Sequence, residues 1–152
     1  MEDKHRKKEL FPEGPISPEF IATSISRHSA KTSIGAHQIF LGQIRSDETE
    51  HGHVEAIDFT AYQDMAHEVY AAYREYLFGK YSLSCLHVHH SLGRVPAGAI
   101  NLFVFVSSRH RKDAIAACAE LVEWIKSTLP VWGKEILSDE TIRWKANTIS
   151  AS

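Results

Sequence analysis

Three groups of residues in this chain have the types and spacing to hold an anion or move a proton. The first is Ser107-Ser108-Arg109-His110-Arg111-Lys112, between an apolar run and a helix-forming stretch. Helix N-termini present N–H groups without helical partners and the positive end of the dipole, and basic side chains added there favour phosphate. The opposing reading is a solvated basic turn. The second is Gly42-Gln43-Ile44-Arg45 at a strand end, where the planar fork of an arginine suits an anion or simply faces water. The third is Lys126 beside Val122 and Ile125, followed by Trp132-Gly133-Lys134-Glu135. A lysine partly out of water suits proton transfer or covalent work, whereas one near a helix C-terminus also stabilises the dipole.

Arg111 and Lys126 are fifteen residues apart on one predicted helix, so at ~1.5 Å per residue they stand roughly 22 Å apart. One small substrate cannot bridge them within a single chain. Either they serve separate sites, or a second copy brings its helix N-terminus to the first copy's lysine, twice over in a symmetric dimer.

The ten histidines offer a rival chemistry. His87 and His89 alternate onto one strand face and His90 onto the other. Two ligands are too few for a structural zinc site, and His51 and His53 lie in a polar loop, so no metal is expected. Cys85 and Cys118 lack CxxC spacing and read as core thiols.

These groups need elements to place them. Residues 1–16, basic and with two prolines, read as a flexible N-terminal arm, leaving 17–152 as one domain. Ser17-Pro18 starts a helix. Residues 35–45 and 54–62 read as strands around a polar loop at 46–53. A helix with Met65, Val69, Tyr73 and Leu77 on one face follows, then strands at 83–92 and 99–107. The second of these contains INLFVFV, the run of a two-sided buried strand. A long helix over 109–128, with Ile115, Cys118, Val122, Ile125 and Leu129 as its core stripe, stops at Pro130. Short strands at 132–137 and 141–147 close an α+β domain with a mixed or antiparallel sheet. A length of 152 residues, 43% of them hydrophobic, suits one core. A net charge of −2 argues against a nucleic-acid binder. No apolar run is long enough to span a membrane, so the expectation is a cytoplasmic protein.

From Gly35 to Asn147 the chain resembles the large, catalytic subunit of molybdopterin synthase. The resemblance rests on Gly35-Ala36 with Phe40-x-Gly42-x-Ile44-Arg45, Tyr62 with Met65-Ala66, and His90-x-x-Gly93. It continues through Gly98 before an apolar strand, Ser108-x-His110-Arg111, and Lys126 with Pro130-x-Trp132. It implies an α/β-hammerhead fold and a homodimer that becomes a heterotetramer with two small ubiquitin-like sulfur-carrier subunits. Each small subunit would insert a C-terminal Gly-Gly thiocarboxylate. The implied reaction is sulfur transfer to cyclic pyranopterin monophosphate, giving molybdopterin for molybdenum cofactor, with no cofactor of its own. Lys126 would be the principal catalytic residue, with Lys134 second. Substrate would be bound by Gln43, Ile44, Arg45, His110, Arg111, Lys126, Gly133, Lys134 and Glu135, with His110 and Arg111 supplied by the neighbouring subunit.

The chain departs from the family pattern at Gly133, where a lysine is usual. Lys134 or Lys145 could stand in, by a twist or bulge at the glycine. Thr60 and Ser91 replace residues often acidic and arginine, respectively. The glycine keeps alive a second class of function, a non-catalytic binding module for a ubiquitin-like tail; a histidine-based metal protein is the third.

Overall fold

The apolar run is central in the fold. In the computed structural model, which describes residues 10–139 and 142–146, β6 (Ile100–Ser108) lies between β1 (Ala36–Gln43) and β4 (Cys85–His90), antiparallel to both. Its alternating side chains feed two cores, as a strand buried on both faces must. Leu102, Val104 and Val106 enter the main core, while Phe103 and Phe105 pack with Ile16 and Ile21 on the other side. Both phenylalanines are fully buried, each contributing about 2–3 kcal/mol of burial.

Helix α1 (Pro18–His28) covers that second face. Ser17 caps it by accepting from Phe20 N–H at 3.1 Å, and Pro18 sits in the first turn. Helix α2 (Gln63–Lys80) and helix α3 (Arg111–Thr128) close the main core. Glu120 of α3 ties the two helices by accepting from Tyr73, Lys80 and Tyr81. A second antiparallel sheet runs β2 (Glu48–Thr49), β3 (Gly52–Ala61), β7 (Val131–Leu137) and β8 (Ile142–Ala146). On it, β5 (Gly93–Pro96) also pairs with β3. The fold is thus α+β with antiparallel sheets, as the sequence predicts. Among the described residues no helix is long and apolar enough to cross a membrane.

Four details differ from the sequence reading. The segment expected as an arm through residue 16 is packed from Leu10 onward. Leu10, Phe11 and Ile16 are buried, Gly14 N–H bonds Leu92 O, and Ile16 N–H bonds Ile100 O. Residues 1–9 lie outside the described residues. The polar loop contains a tight hairpin, β2 against the start of β3, which turns at Glu50-His51 and re-enters the ladder at Gly52 with φ +98. Strand β5 is additional. On α3 the buried positions are Ala114, Ala117, Cys118, Leu121 and Ile125, and Ile115 is half exposed.

Candidate functional site

Strand β6 delivers Ser108 to the foot of α3. Its Oγ accepts from Ala114 N–H at 3.1 Å and donates to the His110 carbonyl. His110 is the N-cap residue, in extended conformation, and its own side chain makes no capping bond. The first turn of α3 therefore keeps N–H groups directed outward, beside the exposed side chains of Arg109, His110, Arg111 and Lys112. An open groove of about 720 Å³ runs here, lined by these four residues with Gly35, Ile115 and Ala116. Gly35 forms its wall because nothing larger fits: its N–H bonds Ser108 O at 3.0 Å, and a β-carbon would collide with the Arg109 carbonyl. Cations, outward N–H groups and a helix dipole of one sign make a site for a phosphate-sized anion.

At the other end of α3, half-buried Lys126 acts electrostatically on His90. His90 is fully buried. Its Nδ1–H donates to Ser91 O at 2.8 Å, and the Phe59 ring stands edge-on at 5.0 Å. Burial above all, with the Lys126 charge adding to it against the Ser91 bond, pushes its pKa down to about 4. At neutral pH it is an uncharged ring beside the lysine, and its buried Nε2 has no hydrogen-bond partner.

Gly133 lies on the same side as this group. A β-carbon there would sit 2.7 Å from Ile57 Cγ2 and 3.2 Å from Phe59 Cε1, so aromatic and aliphatic side chains fill the space next to the glycine. Along β7 burial alternates without interruption: Val131, Gly133, Glu135 and Leu137 are buried and Trp132, Lys134 and Ile136 are half-buried. The irregularity in the β3–β7 pairing falls between Val54 and Ala56, away from Gly133. The twist or bulge that would swing Lys134 inward is not there, and Lys134 occupies the face opposite Gly133 and Glu135. Lys145 holds the register position directly across from Gly133.

The remaining predicted residues divide between the ends of the sheet. Gln43 and Arg45 are exposed beyond the β1 register shift, and Arg45 meets Asp47 at 3.4 Å. Ile44 is a core residue whose N–H and carbonyl bond Ala99 and Gly98; it positions Arg45 and offers a substrate no free group. Because Ala36 pairs with Ser108 and Gln43 with Ile100, an eight-residue strand of roughly 26 Å separates Arg45 from Arg109. His90 pairs with Leu102, so Lys126 belongs to the Arg45 end. The structure brings Lys126, Gly133 and Arg45 to one end of the molecule and His110 and Arg111 to the other, as the helix-length argument requires. Sequence reasoning missed His90 as a neighbour of Lys126, and Ile115 as groove lining. Neither carries a local signal, since one depends on long-range packing and the other on which side of α3 faces outward.

Residues 13–128 match the profile of the family described as MoaE protein. A curated relative from Oryza sativa subsp. indica, "Molybdopterin synthase catalytic subunit", is 37% identical over 120 residues, covering 79% of this chain and 61% of the relative. A relative of the same name from Pyrococcus abyssi is 32% identical over 115 residues, 76% of each chain. Among solved structures, molybdopterin synthase from Staphylococcus aureus superposes with a TM-score of 0.76 at 27% identity, covering 91% of this chain and 97% of that one. The chain thus spans about three fifths of the rice relative's length.

Proposed function

This chain belongs to the MoaE protein family, and from that premise we propose that it is the catalytic subunit of molybdopterin synthase. It would transfer sulfur from the thiocarboxylated C-terminus of a small ubiquitin-like subunit to cyclic pyranopterin monophosphate, as a cytoplasmic homodimer carrying two small subunits. The observation that carries this reading is the basic groove at the foot of α3, with Lys126 at the opposite end of the same helix. The groove suits the phosphate of the substrate. Arg111 and His110 of one copy would then meet Lys126 of the other, giving two composite sites.

The chemistry follows from the charges. Opening a cyclic phosphate and replacing oxygen by sulfur at two carbons shifts negative charge. Fixed cations stabilise that charge without reorganising during the reaction. Lys126, beside an uncharged and buried His90, is placed to exchange a proton near the incoming sulfur. The sulfur arrives on the partner's tail, so neither cysteine takes part; burial pushes the Cys118 thiol up to about 11, which leaves it inert.

The test is complementation. Lys126→Ala and Arg111→Ala chains are each expected to lose at least about a hundredfold in molybdopterin formation. Mixed one to one, they should recover about a quarter of the native activity, because half the dimers carry one intact site of two. Absence of recovery with mixed dimers shown to form would refute the shared site, and full activity of Lys126→Ala would refute the mechanism. The closed space at Gly133 favours, as a second reading, a module that binds the ubiquitin-like tail without turnover; it predicts complex formation with no product from the native chain.

A further inference from the structure

The face of the β1–β6–β4 sheet turned away from α3 carries a group of side chains for which the sulfur-transfer reaction has no use. Cys85 and His87 alternate onto that face of β4, and His28, the last residue of α1, reaches it from above. The ligand atoms of His28, Cys85 and His87 all lie within 4.8 Å of one another.

Their environment is that of ligands. His28 is nine-tenths buried. Its Nδ1–H donates to Ser24 O at 2.7 Å, which fixes the tautomer and leaves the lone pair on Nε2. That nitrogen is buried without a partner, and so is Nε2 of His87. Two such groups side by side are costly in an apolar setting unless something satisfies them. Here the setting is the Phe105 ring, 4.6 Å from His28. A backbone carbonyl holding one imidazole nitrogen, with the other left to ligate, is the usual support of a metal-ligating histidine. Cys85 is buried, and Lys31, from the exposed side, donates to its sulfur at 3.0 Å. A cation already stands at the outer lone pair of the sulfur.

We propose that His28, Cys85 and His87 form a binding site for a thiophilic d10 metal ion, Zn²⁺, which ties the end of α1 to β4. Tetrahedral zinc with one sulfur and two nitrogens holds these atoms roughly 3.5 Å apart, so the ligand atoms, within 4.8 Å of one another, draw together by at most about 1.3 Å to bind it. Water takes the fourth position, and the thiol proton leaves on binding while Lys31 swings out. Imidazole and thiolate together select zinc over magnesium or calcium. The expectation of no metal rests on His87 and His89 sharing a face, with His90 on the other face and His51 and His53 in a polar loop. It overlooked Cys85, two positions before His87 on the same strand face, and the histidine brought in by α1.

The experiment uses tag-free full-length chain stripped by chelator and titrated with Co²⁺, then Zn²⁺. The native chain is expected to take up one ion, show a thiolate-to-cobalt charge-transfer band and lose it when zinc displaces cobalt. Cys85→Ala should abolish the band, and His28→Gln and His87→Gln should each weaken binding at least about tenfold. His53→Gln, in the β2–β3 hairpin, should match the native chain. Circular dichroism establishes that each variant is folded. Cobalt uptake without the thiolate band, from ions scattered over surface histidines, would overturn the proposal even if no variant folded. Native affinity in Cys85→Ala would do the same.

Discussion

His90 allows the reasoning about the Lys126 end to be tested without substrate. The folded chain holds its pKa near 4, against 6.5 for an ordinary histidine. Above pH 6.5 the ring is neutral in both folded and unfolded chains, and its contribution does not vary. As pH falls from 6.5 towards 4 the unfolded chain takes up a proton that the folded chain refuses, so stability is lost across that window and levels off below it. At ~1.36 kcal/mol per pH unit, the loss is about 3 kcal/mol. Chemical denaturation at several pH values between 7 and 4 measures it. Since His87 is also held down to about 4, by burial first and then by electrostatic effects of neighbours that include His28, Arg74 and Lys31, the comparison must be with His90→Gln. That variant keeps a donor for Ser91 O and does not titrate. The native chain should lose about 3 kcal/mol more than the variant over the window. Because the Lys126 charge is one of the causes, Lys126→Met should raise the His90 midpoint in an NMR titration. Parallel pH curves for native and variant, or a His90 midpoint above 6, would show that the ring is not buried beside that lysine.

Two further outcomes follow from the same end of the molecule. Gly133→Ala should destabilise by about 1–3 kcal/mol through overpacking against Ile57 and Phe59, and Ile57→Ala should offset part of that cost; strictly additive effects in thermal denaturation would contradict the close approach. Lys134→Ala should leave turnover close to native, since Lys134 lies on the face of β7 opposite Gly133; a loss as large as that of Lys126→Ala in the sulfur-transfer assay would refute that assignment.

What was legible in the sequence had strong local periodicity or unmistakable charge. INLFVFV announced β6, Ser17-Pro18 announced α1, and the basic run marked the foot of α3. Strand β5 is hidden in the sequence because it spans only Gly93–Pro96, a short edge segment bounded by a glycine of positive φ and a proline, and it shows itself only by pairing with β3. The stripe of α3 was misjudged at Ile115 because Ala114 and Ala117 hold buried positions with little hydrophobic signal of their own. Leu10, Phe11 and Ile16 lay among prolines and charges, and only distant bonds to Leu92 and Ile100 place that segment. The candidate site was legible as charges and as a helix length. The electrostatic coupling of Lys126 to His90, and the meeting of His28 with Cys85, depend on pairings across 36 and 57 positions of chain, which no local pattern encodes.

The close passage of Gly35 beneath the Arg109 carbonyl has a bearing on how this protein can fail. Any heritable change at codon 35 that adds a side chain would lever the arginine-bearing turn out of place while leaving each cation present. A survey that scored only the charged positions would pass such an allele as intact. The lesion would look like lost phosphate affinity, yet its origin would be a single methyl group at the residue before β1, more than seventy positions upstream.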